Sequence, residues 1–163
     1  MFRRGCDDVV DGKDWRAERG LSPDWLQDGT YTTLEDSELH ESGRDIVRHD
    51  PATEATSVMV RAADLIPPKA MNPLSIDSYR FSDDLSKVLI YTNSQRVWRS
   101  NTRGDYWLLD RSSRELRQLG GDDAPPASMM FAELSPDGSK VAYIRERDLY
   151  LQDTTTFDIH AVT

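Results

Sequence analysis

Ala132-Glu133-Leu134-Ser135-Pro136-Asp137-Gly138-Ser139-Lys140-Val141-Ala142-Tyr143-Ile144 repeats in altered form the earlier stretch Tyr79-Arg80-Phe81-Ser82-Asp83-Asp84-Leu85-Ser86-Lys87-Val88-Leu89-Ile90-Tyr91. In the later copy Pro136 presets the turn, Asp137 can bond its own backbone and Gly138 accepts a positive φ, so a tight hairpin is expected. In the earlier copy Asp84-Leu85 replaces Asp-Gly, and the turn is less ideal. After the earlier turn Val88 and Ile90 alternate with Leu89 and Tyr91, so both faces of the strand are apolar, as expected of a blade sandwiched on two sides.

Working outward, each copy continues into a strand that ends in aspartate, then a turn and a further strand. Tyr106-Trp107-Leu108-Leu109-Asp110 leads to Glu115 through Leu119, and Leu149-Tyr150-Leu151-Gln152-Asp153 leads to Asp158 through Val162. An earlier unit fits the same pattern, with a first hairpin over Trp25 to Leu34. Its second hairpin runs from Asp45 to Val60, with a turn at Pro51-Ala52-Thr53. Three units at a spacing of about 40 to 50 residues match the period of β-propeller blades. The fold class expected is all-β: three four-stranded antiparallel blades forming part of a larger propeller, at about 22–61, 76–120 and 129–163. Pro67-Pro68 and Pro73 fall between the first two units, and Gly120-Gly121 and Pro125-Pro126 between the last two. Residues 1–21 show neither repeat nor periodicity and read as a poorly ordered tail.

Composition narrows the function classes. The chain has 163 residues and a formal charge of -9. Acidic residues outnumber basic ones, which disfavours nucleic acid and anionic membrane as partners. No apolar run approaches the roughly 20 residues of a membrane helix. Met1-Phe2-Arg3-Arg4 turns acidic at Asp7-Asp8, where a signal peptide needs an apolar stretch, so no export signal is read. Cys6 is the single cysteine and reads as a stray surface thiol. His40, His49 and His160 lack the spacing of metal ligands, so neither metal nor cofactor is expected. Glu35 to Glu41 lacks the oxygen spacing of a calcium loop and reads as a solvated hairpin tip.

One segment breaks the pattern. Asn93 to Trp107 carries two tryptophans and three arginines within a connection where a short turn would suffice. Its ordering entropy needs an offsetting contact, which makes it the first candidate for function. Arg96 and Arg103 read as surface ion-pair partners of acidic neighbours such as Asp105.

With Val97-Trp98-Arg99-Ser100 ahead of Tyr106-Trp107-Leu108-Leu109-Asp110, and Pro73-Leu74-Ser75-Ile76 and Tyr79-Arg80-Phe81-Ser82 before them, residues 22–163 resemble the N-terminal β-propeller of the dipeptidyl peptidase IV family of prolyl-oligopeptidase-like serine peptidases, most closely its bacterial members. The resemblance implies an eight-bladed propeller capping an α/β-hydrolase domain, with this chain as its first three blades. It implies that Arg99 holds the substrate backbone and that Trp98 supports the loop. The reaction implied is release of N-terminal dipeptides with proline or alanine second, the propeller gating and orienting the peptide. The family's glutamate segment, which follows the blade ending near Thr163, is absent, as is any G-x-S-x-G nucleophile elbow. Catalysis by this chain alone is therefore not expected, and no catalytic residue is assigned. The partners implied are a peptide substrate, the hydrolase domain and the remaining blades. A cell-envelope or periplasmic parent is compatible with this. The alternative is a non-catalytic propeller used for protein binding, since fold does not dictate activity. A three-blade piece would leave apolar faces uncovered, and the expectation is that alone it is either marginally stable or self-associates, a homo-oligomer being the second outcome.

Overall fold

The computed structural model describes residues 23–97, 99–121 and 124–163. The tail reading of residues 1–21, Cys6 included, lies outside the described residues. The described residues form twelve strands. β1 (Asp24–Trp25), β2 (Tyr31–Asp36), β3 (Arg44–His49) and β4 (Thr56–Val60) form one antiparallel sheet in chain order. β5 (Ser78–Phe81), β6 (Lys87–Val97), β7 (Ser100–Asp110) and β8 (Glu115–Gln118) form a second four-stranded unit, and β9 (Met129–Leu134), β10 (Lys140–Arg145), β11 (Asp148–Asp153) and β12 (Ile159–Ala161) a third. The chain is thus three blades of a β-propeller. A 3-10 turn, Ala62–Leu65, follows the first blade and buries Leu65.

The repeated turn forms for the reasons its residues suggest. Asp137 Oδ1 accepts bonds from the Ser135 hydroxyl (2.7 Å), the Ser139 backbone N–H (3.0 Å) and the Ser139 hydroxyl (2.9 Å). Asp84 accepts the same three from Ser82 and Ser86. These donors stabilise the charged carboxylates and hold both at a pKa of about 2. The next residue is left-handed in both turns: Gly138 at φ 68 and Leu85 at φ 60, where a side chain is strained. The aspartates ending β7 and β11 cap the following turns, Asp110 accepting from the Ser112 and Ser113 N–H groups and Asp153 from those of Thr155 and Thr156. Asp50 does the same for Ala52 in the first blade.

Alternation along the strands builds two cores. Val88 and Ile90 of β6 pack with Ile46, Val60 and Leu65 between the first and second blades. Leu89 faces the other way and packs with Leu108, Met129, Val141 and Tyr143 between the second and third. Trp107 joins the first core, and Tyr91, Tyr106 and Tyr150 the second. The central strands β6 and β7 are therefore apolar on both faces, as a sheet stacked on two sides requires.

Cations cross both blade boundaries. Lys87 Nζ donates to the Gly138 carbonyl (3.0 Å) and the Thr154 hydroxyl (2.6 Å) of the third blade. Arg111 donates to the Leu85 carbonyl in its own blade and to the Met59 carbonyl (3.3 Å) in the first. The Tyr79 hydroxyl donates to Thr32 Oγ1 at 2.9 Å, and burial pushes its pKa up to about 12. The left-handed residue of each repeated turn thus offers its carbonyl to a cation at a blade boundary.

Candidate functional site

The segment expected as an irregular excursion is itself β structure. β6 and β7 run on past the blade as a two-stranded arm, paired to Val97↔Ser100. Register shifts between Thr92 and Gln95 and between Gln95 and Arg96 interrupt the ladder at the arm's root, and an extra residue on one strand locally bends and twists such a ladder. Asn93, at φ 51, sits in the first of these irregularities.

The arm's root is braced on several sides. The Tyr91 hydroxyl donates to the Arg103 carbonyl at 2.8 Å, and its ring lies 4.8 Å from that of Tyr106. Burial, then the neighbouring Tyr106 and Asp77, push the Tyr91 pKa up to about 12. Gly104 is required here: a Cβ would clash with the Cε2 edge of the Tyr91 ring and lie 2.7 Å from the Thr92 carbonyl oxygen. Asp105 takes the Asn93 side-chain amide on one oxygen (2.8 Å) and the Ala127 N–H on the other (2.7 Å), tying the arm to the linker before the third blade. Asp105 therefore clamps the arm's root, a role that the expectation of surface ion pairs with Arg96 and Arg103 did not include. Asp77 accepts the Ser94 N–H at 3.0 Å. Arg103 and Gly104 also pair with Met130 and Met129 of β9, which fuses the second and third blades into one eight-stranded sheet.

Arg99 is exposed at the tip, where chain direction reverses between the two strands. Its guanidinium can offer several fixed donors to a carbonyl or carboxylate of a bound chain. Trp98, expected to support the tip, lies outside the described residues.

At the arm's foot a cleft of about 330 Å³ opens along β5 and β9. Arg80 and Glu133 pair across it at 3.1 Å, one from each strand, both well exposed. Asp24 of β1 borders the cleft as well; burial raises its pKa and the Arg80 charge partly offsets this. Sequence reading missed this acid–base–acid row. Its signal was a charge placed mid-strand in Tyr79-Arg80-Phe81, where a solvent-facing position is needed on an otherwise apolar strand.

A second arrangement superficially suggests catalysis. Thr33 Oγ1 lies 2.8 Å and Glu35 Oε1 3.0 Å from His49. Both contact the same ring nitrogen, Nε2, so the imidazole cannot pass a proton between them, and Thr33 is buried. The ring stacks on Tyr31 at 4.9 Å, as a packed strand residue does. Among the described residues no cluster of His, Cys, Asp and Glu suits a metal ion. No helix of the described residues is long and apolar enough to cross a membrane.

Comparison with known proteins agrees with the geometry. Residues 82–163 match the family model for the dipeptidyl peptidase IV (DPP IV) N-terminal region. Dipeptidyl aminopeptidase B of Saccharomyces cerevisiae is 33% identical over 78 residues, 48% of this chain and 9% of that protein. A probable dipeptidyl-aminopeptidase B of Trichophyton verrucosum is 34% identical over 82 residues, 50% of this chain and again 9% of its own length. In structure, dipeptidyl peptidase 4 of Porphyromonas gingivalis superposes with a TM-score of 0.72 at 20% identity, over 88% of this chain and 19% of that one. The matched part is thus a small fraction of each relative's length.

Proposed function

The chain belongs to the family of the dipeptidyl peptidase IV N-terminal region, and from that membership we propose that it serves as the front of the propeller in a dipeptidyl peptidase IV-like serine exopeptidase. In this reading its blades, at about 22–61, 76–120 and 129–163, gate access to a hydrolase domain. The substrate is a peptide with a free amino terminus and proline or alanine at its second position. Arg99 binds the substrate backbone and Trp98 steadies it. The observation that carries the proposal is the braced arm: hydrogen bonds from Tyr91, Asn93 and Ser94 anchor a hairpin whose tip carries Val97 through Ser100. An unsupported surface loop would lose too much ordering entropy on binding to act as a substrate clamp. A root held on three sides lowers that cost.

The test is kinetic, in the polypeptide that joins this chain to its hydrolase domain. Arg99→Ala is expected to lower kcat/KM for an X-Pro substrate by about 1.5–3 kcal/mol, the worth of a lost charged hydrogen bond. Arg99→Lys recovers only part, because the ammonium lacks the planar fork. Unchanged kinetics in a folded Arg99→Ala protein would remove Arg99 from the site.

A further inference from the structure

We infer that the cleft at the foot of the arm is a second peptide subsite, which takes the side chain of an arginine or lysine and holds its cation between the Phe131 ring and the carboxylates of Asp24 and Glu133. The cleft is built by the first strands of all three blades: Asp24 comes from β1, Tyr79 and Arg80 from β5, and Phe131 and Glu133 from β9. Strands that converge in this way are the inner strands of a propeller, which border the central channel that the blades surround. The cleft therefore opens toward the channel, and blades stacked on the outer faces of the first and third would not close it.

Phe131 owes its place to a bulge. β9 pairs Glu133 with Ala142 and Met130 with Ile144, so it carries one residue more than β10 over that span. Phe131 lies in the bulge at φ 53, a left-handed conformation that strains any side chain and that glycine takes freely. Backbone bonds from Ala132 and Phe131 to the Tyr106 phenol hold the bulge in place. Despite the strain the ring is 57% exposed, so it gains little from packing. A large aromatic side chain kept at a strained position and bordering a cleft marks a contact made outside the core.

Charges and rings together set the class of ligand. Among the described residues two carboxylates and one guanidinium line the cleft, beside Tyr79, Tyr91 and Tyr106. The Arg80–Glu133 pair is exposed at both ends, 66% and 60%, and an exposed pair of this kind contributes little, so Glu133 can be shared with an incoming cation. The Asp24 side chain makes no hydrogen bond or close ion pair among the described residues. Burial raises its pKa, the Arg80 charge only partly offsets this, and a second cation would relieve it. A cation over an exposed aromatic face with carboxylates beside it is a favourable arrangement. Asn101 and Thr102 of β7 border the same cleft two and three positions beyond Arg99, about 7–10 Å along the strand. A peptide held at Arg99 would thus place a basic residue two or three positions further along in the cleft, and this identity of the ligand rests on the peptidase reading.

Equilibrium binding to the full chain tests it, by calorimetric titration with peptides that begin Ala-Pro and carry either arginine or citrulline, its neutral isostere, at the fourth or fifth position. The arginine peptide should bind tighter than its citrulline counterpart by about fivefold to thirtyfold. The double variant Asp24→Asn/Glu133→Gln should bring that ratio close to one. Phe131→Gly should lower it as well while melting no lower than the wild type, because glycine relieves the strained backbone; a ring kept for packing would give a lower Tm. The ratio, and not the absolute affinity, reports the cleft, so a failure here is distinguishable from a failure of the peptidase reading, which dipeptide release measures. Equal affinity for the two peptides, no binding of either, a ratio that the variants leave unchanged, or a Phe131→Gly chain that melts well below the wild type would each overturn the inference.

Discussion

Lys87→Met removes the cation that spans the second and third blades while keeping an unbranched side chain in the same space. The ammonium's bonds to the Gly138 carbonyl and the Thr154 hydroxyl are lost, but the Thr154 hydroxyl still donates to Gly138 at 2.7 Å, so the carbonyl is not orphaned. The cost is that of charged hydrogen bonds without an added buried unsatisfied acceptor, about 1.5–3 kcal/mol. Lys87 is half-buried, and the water that reaches it places the expected loss in the lower part of that range. At this chain length each kcal/mol lowers Tm by about 2–4 °C, so a fall of about 3–8 °C is expected. Urea unfolding followed by circular dichroism gives the free energy, and the double variant with Thr154→Val separates the pair's contribution from local effects. Residues that act together should be non-additive by at least about 0.5 kcal/mol. A loss below about 0.5 kcal/mol for Lys87→Met, or strict additivity with Thr154→Val, would refute the idea that this lysine joins the blades.

Gly104→Ala should destabilise by about 1–3 kcal/mol, because the new Cβ meets the Tyr91 ring and the fixed Thr92 carbonyl; hydrogen exchange should quicken along the arm first, and unchanged exchange there would count against the clamp. Acid should weaken the repeated turns: the folded carboxylates of Asp84 and Asp137, held at about 2, lie below the ordinary unfolded value of about 3.9, so their stabilisation is complete above that value and lost as pH falls toward 2. The double variant Asp84→Asn/Asp137→Asn should therefore show a flatter decline of Tm between about pH 4 and pH 2 than the wild type, and equal slopes would contradict this.

Much of the architecture was legible because it is local. The turn chemistry of Ser135 to Lys140, the aspartates closing β7 and β11, and the opposite faces of Val88 and Leu89 each follow from neighbours a few residues apart. What escaped reading depends on how blades stagger. The Arg80–Glu133 pair, the reach of Lys87 and the pairing of Gly104 with Met129 join residues 25 to 67 positions apart, and no periodicity encodes them. The arm was visible as an anomaly in Asn93 to Trp107, but its β character was not: polar Asn93, Ser94 and Gln95 carry no apolar alternation because the arm leaves the core. Arg99 was singled out through its motif and not through its surroundings, since an exposed guanidinium at a hairpin tip has no local signature of binding, and its role stays a proposal.

The proposed role is tested most directly by assaying dipeptide release by the longer polypeptide that carries this chain, in which a hydrolase domain is proposed. The account predicts cleavage after the second residue of peptides with proline or alanine there, abolished when the substrate's amino terminus is acetylated. A folded protein that releases no dipeptide from such peptides, or that cleaves the acetylated peptide equally well, would contradict it.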